Sequence, residues 1–342
     1  MQVLLIILGI IAVLLMVGAS YQAIGSALDL RRYPPPGRLM AVNGHRLHIW
    51  YLGEGPSVIF EAPLGGSCLG WALVQPEVAK FARACSYDRA GFGWSDPGPL
   101  PRSAQRITDE LRALLIAARI PTPYVFVSHS YGGFVARLYT TQYPEEVAGL
   151  VLVDPPSCDE WLNMDTDRRR RVYFGAKLAR HGAFVTFVGV SRFAGRLVSA
   201  GATGAARATA YAASGGLLLG HLERLFSPVG KLPAELRPVL RALWTQPKFF
   251  TALASQIQTV PESAAQVAAS GSLGDVPLIL LSASNLSPER LHENEAVAKL
   301  STRGKHIVVP NSGHWIQIDY PQVVIEAVRE VVEASHQMRA VE

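Results

Sequence analysis

The sequence predicts an α/β fold: a mostly parallel eight-stranded sheet flanked by helices, interrupted by an inserted helical cap and preceded by one transmembrane helix. Three observations predict it. Strand-like runs alternate with helical patterns from residue 38 to 153 and resume at 276; the stretch from about 155 to 274 loses its β-branched runs; and residues 3–19 carry no charged side chain. Strands that alternate with helices imply βαβ units and a parallel sheet.

The N-terminal run is almost wholly Leu, Ile, Val, Ala, Met and Gly. A stretch of ~17–20 such residues spans a bilayer core at the helical rise. Only Met1 and Gln2 precede it, without the basic start of a cleaved signal, although Gly18, Ala19 and Ser20 resemble a cleavage site. An uncleaved single-pass anchor is therefore expected. The nearest cations, Arg31, Arg32 and Arg38, all follow the run. By the positive-inside rule they keep the following domain cytoplasmic, an inference weakened by their distance from the span. Tyr33–Gly37 reads Tyr-Pro-Pro-Pro-Gly, a stiff spacer.

Strands are expected at 39–42, 47–51, 57–61, 84–87, 124–127, 150–153, 276–281 and 307–309, the first two forming an antiparallel edge. Helices are expected at 77–84, 104–118, 132–142 and 321–333. In the cap, helical periodicity covers 168–180, 206–225 and 235–242. The chain thus divides into a transmembrane anchor (1–20), a linker (21–38), a first core part (39–155), a helical cap (156–275) and a second core part (276–342).

Composition narrows the function classes. With 342 residues, 49% hydrophobic and 17% charged, the chain buries a core unaided and is not disordered. Cys68, Cys85 and Cys158 are too few for a disulfide framework, and no C-x-x-C or Cys/His cluster supports a metal, so each is read as a small buried hydrophobe. The net charge of +5 comes with no nucleic-acid motif. Arg168, Arg169, Arg170, Arg171 and Arg180 form either a solvated helix face or a patch for anionic headgroups.

The chemistry concentrates in two segments. Residues 124–139 read YVFVSHSYGGFVARLY: an apolar strand, a turn of small residues, then a helix. A serine at such a bend is lifted out of the sheet by a strained backbone, and the helix N-terminus favours negative charge beside it. Ser130 occupies that position, in S-x-S-x-G rather than G-x-S-x-G. Residues 311–321 read NSGHWIQIDYP, a loop between strand and helix carrying His314. A serine hydroxyl needs a base to become a nucleophile, and imidazole both takes and returns a proton near neutral pH.

These segments, with EAPLGGSCLGW, SYDRAGFGWSDPG and GLVLVDPP, resemble the α/β-hydrolase superfamily from about Arg38 onward. The resemblance implies Ser130 as nucleophile and His314 as base. It usually places an acid after the strand ending at Leu281, where Asn285 stands and no carboxylate follows before Glu289. In haloalkane dehalogenase-like members the acid follows the preceding strand, which points to Asp154. Asp154 is the acid expected here, with Glu289 or another cap-side carboxylate as competitor; the bland reading of Asp154 is a turn cap before Pro155–Pro156. The oxyanion hole implied is the backbone N–H of Tyr131 and one from the loop 62–66, at Leu64 with Gly65 as competitor, since Pro63 has no N–H. Asp88 and Arg89 are read as hydrogen-bonding within their own loop.

The expected function is cleavage of a carboxylic ester, hydrophobic or lipid-like, through an acyl-Ser130 intermediate. Acyl transfer to an alcohol and a non-catalytic ligand-binding role are the alternatives. No cofactor, no metal and no nucleic acid are expected; the expected partners are a small hydrophobic ester and the membrane.

Overall fold

The computed structural model describes residues 1–193 and 230–339; the cap helix expected at 206–225 lies outside them. Eight strands form one sheet: β1 (Arg38–Val42), β2 (His45–Leu52), β3 (Ser57–Glu61), β4 (Arg83–Tyr87), β5 (Tyr124–His129), β6 (Val147–Val153), β7 (Leu278–Ala283) and β8 (Gly304–Val309). Their spatial order is β1-β2-β4-β3-β5-β6-β7-β8. β1 and β2 pair antiparallel, as expected of that edge, β2 pairs antiparallel with β4, and every later pairing is parallel.

The period of two decides which face each strand residue serves. In β5, Tyr124 and Phe126 enter one apolar layer and Val125 and Val127 the other. In β6, Leu150 and Leu152 join the first layer, Val151 and Val153 the second. The first layer is covered by helices Ala104–Ala117 and Gly132–Gln142, through Ile107, Leu111, Leu114 and Phe134. Helix Pro321–Arg339 covers the second, through Val324, Val328 and Val331 at helical spacing. Each such side chain, fully buried, contributes about 1.5–3 kcal/mol. Strands buried on both faces read as continuous apolar runs, which is why they were legible.

Some elements differ from expectation. The helix expected at 77–84 is only Gln75–Val78, because Arg83 and Ala84 join β4. Helix Pro247–Ala268 was not foreseen; Pro261 inside it masks its periodicity.

The chain forms two compact units. One comprises Pro36–Ala176 and Ala252–Glu342, the other Met1–Pro35 and Lys177–Thr251. The first contains the whole sheet and also takes in both ends of the stretch read as cap. In the second, helix Gln2–Arg32 is long and apolar enough to cross a membrane. It continues to Arg32, so most of the stretch read as linker is helical, and only Tyr33–Gly37 follows before β1. Its later turns are docked. Arg192 donates to Gln22 (3.2 Å), Ser26 (3.3 Å) and Asp29 (2.6 Å), and Gln22 donates to the Thr245 carbonyl at 2.7 Å.

Candidate active site

β5 ends at His129, and the chain turns at once into helix Gly132–Gln142. Ser130 sits on that bend with φ +51°, in the left-handed region that costs a non-glycine residue about 1–2 kcal/mol. Backbone bonds hold it there: Ser130 N–H donates to Val153 O at 3.0 Å, and Gly133 N–H to Ser130 O at 2.8 Å. The glycines are required by approach. A Cβ on Gly132 would lie 2.8 Å from the Glu61 carbonyl oxygen, and one on Gly133 2.9 Å from Pro155 Cβ. Ser128, at the position where the motif has glycine, is fully buried.

The bond to Val153 sets Ser130 beside the end of β6, where Asp154 follows. Asp154 also has positive φ, +42°. Its N–H donates to Leu281 O at 2.7 Å, and its Oδ1 accepts the Ala283 N–H at 3.1 Å. Its Oδ2 lies 2.6 Å from His314 Nδ1. The carboxylate is buried while the imidazole is half exposed. A carboxylate only accepts, so Nδ1 carries the proton and Nε2 keeps its lone pair. The carboxylate that faces His314 thus comes from the end of β6, aimed by a β7 amide. Glu289, the competitor, is exposed in the first turn of helix Pro288–Ala298, where its own N–H and Ser287 hold its carboxyl below the usual range.

His129, the residue immediately before the serine bend, buttresses the loop. It is fully buried, and burial first, then the adjacent His314, push its imidazole well below the ordinary value. The neutral ring lies 2.8 Å through Nε2 from His314 O and 2.9 Å through Nδ1 from Gln317 Nε2. A carbonyl cannot donate, so the proton sits on Nε2 and Nδ1 accepts. The His129 and His314 rings pack with centroids 4.6 Å apart.

The loop after β3 brings Leu64 to the same region. Arg89, read as bonding within its own loop, instead reaches out of it. Its Nε donates to Glu61 at 2.7 Å, its Nη1 to Pro63 O at 3.1 Å, and its Nη2 to Glu61 and Ala62 O. Across a planar trans peptide C=O and N–H point opposite ways. Holding Pro63 O therefore turns the Leu64 N–H away from Arg89. Gly65 N–H donates to Gln256 Oε1 at 3.2 Å. Among the described residues, the N–H groups of Leu64 and Tyr131 meet no acceptor. The Arg89 guanidinium also stands 5.1 Å from the Tyr131 ring centroid. Burial raises the Glu61 carboxyl, against the opposing pull of Arg89 and Tyr87.

Asp88 does bond within its loop, to Trp94 N–H at 3.1 Å, and beyond it to Cys68 N–H and His48 Nδ1, both at 2.8 Å. These three residues, remote in sequence, form a buried His–Cys–Asp cluster the sequence did not reveal. The Asp88 carboxylate is engaged by three N–H groups, from His48, Cys68 and Trp94, while His48 Nε2 is buried and meets no partner among the described residues. All three cysteines are free; Cys68 and Cys85 are buried, as read, but Cys158 is only partly so.

A profile of the alpha/beta hydrolase family matches residues 58–327, more than half the chain and both segments that carry the site. The chain belongs to the alpha/beta hydrolase family. Among relatives of this family, an uncharacterized protein of Bacillus subtilis is 36% identical over 102 residues, 30% of this chain and 40% of that protein. The (lyso)-N-acylphosphatidylethanolamine lipase of Mus musculus is 33% identical over 117 residues, 31% of this chain and 34% of the lipase. The matched stretches thus span well under two thirds of these curated relatives. A haloalkane dehalogenase from Bradyrhizobium elkani superposes with TM-score 0.63 at 19% identity, covering 89% of this chain and 99% of its own. A thermophilic esterase from Thermogutta terrifontis gives 0.59 at 19%, covering 87% and 98%. At such identities the two structures speak for the hydrolase fold alone.

Proposed function

We propose that this hydrolase cleaves a carboxylic ester through an acyl-Ser130 intermediate, with a hydrophobic or lipid-like substrate. The observation that carries the reading is the 2.6 Å contact from His314 Nδ1 to Asp154, at the sheet edge where Ser130 is held at positive φ. His314 Nε2 takes the Ser130 proton as Oγ bonds to the ester carbon. The carbonyl π pair moves onto oxygen, received by the N–H groups of Leu64 and Tyr131, each worth about 3 kcal/mol. Collapse expels the alcohol, protonated by His314, and leaves the acyl-enzyme. Water, deprotonated by the same imidazole, attacks the acyl carbon; the acyl–Oγ bond then breaks, the imidazolium returns the proton to Ser130 Oγ, and the acid leaves. Asp154 stays ionised and stabilises the imidazolium.

A serine at the elbow suits acyl chemistry, whereas cleavage of an alkyl halide or epoxide through an alkyl-enzyme ester needs a carboxylate there. The printed names of the mouse lipase and the Thermogutta esterase agree with an ester substrate. The helix Gln2–Arg32 would anchor the enzyme in a membrane, with the catalytic domain on the cytoplasmic side by its trailing arginines. A Saccharomyces cerevisiae relative that bears the words vacuolar membrane protein is 33% identical over 105 residues.

A fluorophosphonate probe tests the reading. The folded chain should be labelled stoichiometrically and should hydrolyse nitrophenyl acyl esters, and Ser130→Ala should abolish both. Folded wild-type protein that takes up no probe would defeat the proposal.

A further inference from the structure

In the unit formed by Met1–Pro35 and Lys177–Thr251, the N-terminal helix presents one face, Gly18, Gln22, Gly25 and Asp29, to the segment 188–192. The backbones touch at Gly18: a Cβ there would collide with the Val188 carbonyl, and one on Gly189 would lie 2.7 Å from Gly18 O. At Gly25 the space is filled by the Arg192 side chain, 2.6 Å from where a Cβ would stand. From Gly18 to Gly25 the helix climbs about 10 Å. The contact is therefore graded, close backbone packing without charge at the last turn of the uncharged run and an Arg–Asp pair further along.

That places Val188 and Gly189 level with the end of the membrane-spanning run. The residues around them are apolar and open: Phe184, Phe187, Val190 and Phe193 are 58, 55, 52 and 57% exposed. One to two turns before Phe184, on helix Thr166–Phe187, the exposed side chains are Lys177, Arg180 and His181. Cations followed by a cluster of aromatic rings is the order in which a bilayer offers headgroups and then acyl chains.

We propose that residues 184–193 form a second membrane contact, inserted into the leaflet beside the N-terminal helix, with Lys177 and Arg180 at the anionic headgroups. The inference rests on the reading of Gln2–Arg32 as a bilayer span. It adds that this unit rides in the membrane interface instead of hanging from a flexible tether.

The test uses the full chain in phosphatidylcholine–phosphatidylglycerol vesicles, with Cys158→Ser as background. Cys68 and Cys85 stay silent because both are buried and burial pushes the Cys85 thiol up to about 12. A nitrobenzoxadiazole fluorophore is attached to Phe187→Cys, or to Val190→Cys should the first not fold, and to Leu8→Cys as the reference within the span. Doxyl-labelled lipid should quench positions 187 and 8 alike, and aqueous iodide should quench neither. Iodide quenching at 187 with lipid quenching at 8 overturns the second contact and leaves the anchor. Shielding of 187 from both agents means that protein covers the patch, which also overturns it. Lipid quenching at neither position removes the span and the inference together.

Discussion

An imidazole whose Nδ1–H is held by a buried carboxylate keeps Nε2 as the base, and the tautomer is lost when the carboxylate becomes an amide. Asp154 holds His314 in this way and is itself oriented by the Ala283 N–H. Asp154→Asn should lower kcat by about three to four orders of magnitude with KM nearly unchanged, whereas Glu289→Gln should leave kcat as it is. Steady-state kinetics on a nitrophenyl ester reads both, and the opposite ranking would move the acid. Ser130 and His314 were legible because each lies in a short segment whose local order, strand–turn–helix or strand–loop–helix, is itself the signal. Asp154 was legible only as one choice among several carboxylates, since its partner stands 160 residues away. His129 and Gln317 could not be assigned their roles from sequence. Their contacts cross 185 and 188 positions and follow no spacing rule.

At the scale of an element, the loop after β3 depends on a side chain from the loop after β4. Arg89 grips two consecutive carbonyls, Ala62 and Pro63, and so aims the Leu64 N–H. Lysine at this position keeps the charge opposite Glu61 but offers one nitrogen where the guanidinium offers three. Arg89→Lys should therefore reduce kcat by about 10²-fold, the usual cost of misplacing or losing one oxyanion donor. Fluorophosphonate labelling should slow in step while KM changes little and the circular dichroism spectrum is retained. A variant with wild-type kcat would show that the loop holds its shape unaided. The alternating strands and the helices at 104–118, 132–142 and 321–333 were readable from periodicity alone. Helix Pro247–Ala268, interrupted by Pro261, was not, nor was the extension of the N-terminal helix through Gln22–Asp29, whose polar face is explained by its bonds to Arg192 and the Thr245 carbonyl.

On the scale of the whole molecule, acid stability follows from the neutral imidazole buried at the sheet edge. The unfolded chain protonates His129 near pH 6.5, whereas burial keeps the folded ring unprotonated well below that. The unfolded state therefore binds more protons, and stability is complete above about pH 6.5 and falls as pH drops beneath it. His129→Gln removes this proton uptake. Its midpoint of urea unfolding should vary less between pH 7 and pH 5, as about one unit of pH then costs up to about 1.4 kcal/mol less. Equal pH slopes for the two proteins would show that other groups control acid unfolding.

The pairing of Asp154 with His314 closes a loop of 160 residues, and β6 must wait for β7 before Asp154 finds the Ala283 amide that aims it. Contacts between positions this remote form late, because chain entropy is lost before they give any return. During synthesis the serine bend can be in place while the base and its orienting acid are still apart. On the proposed mechanism a growing polypeptide at a ribosome therefore carries a dormant hydroxyl, which becomes reactive only after β8 and the loop after it have docked.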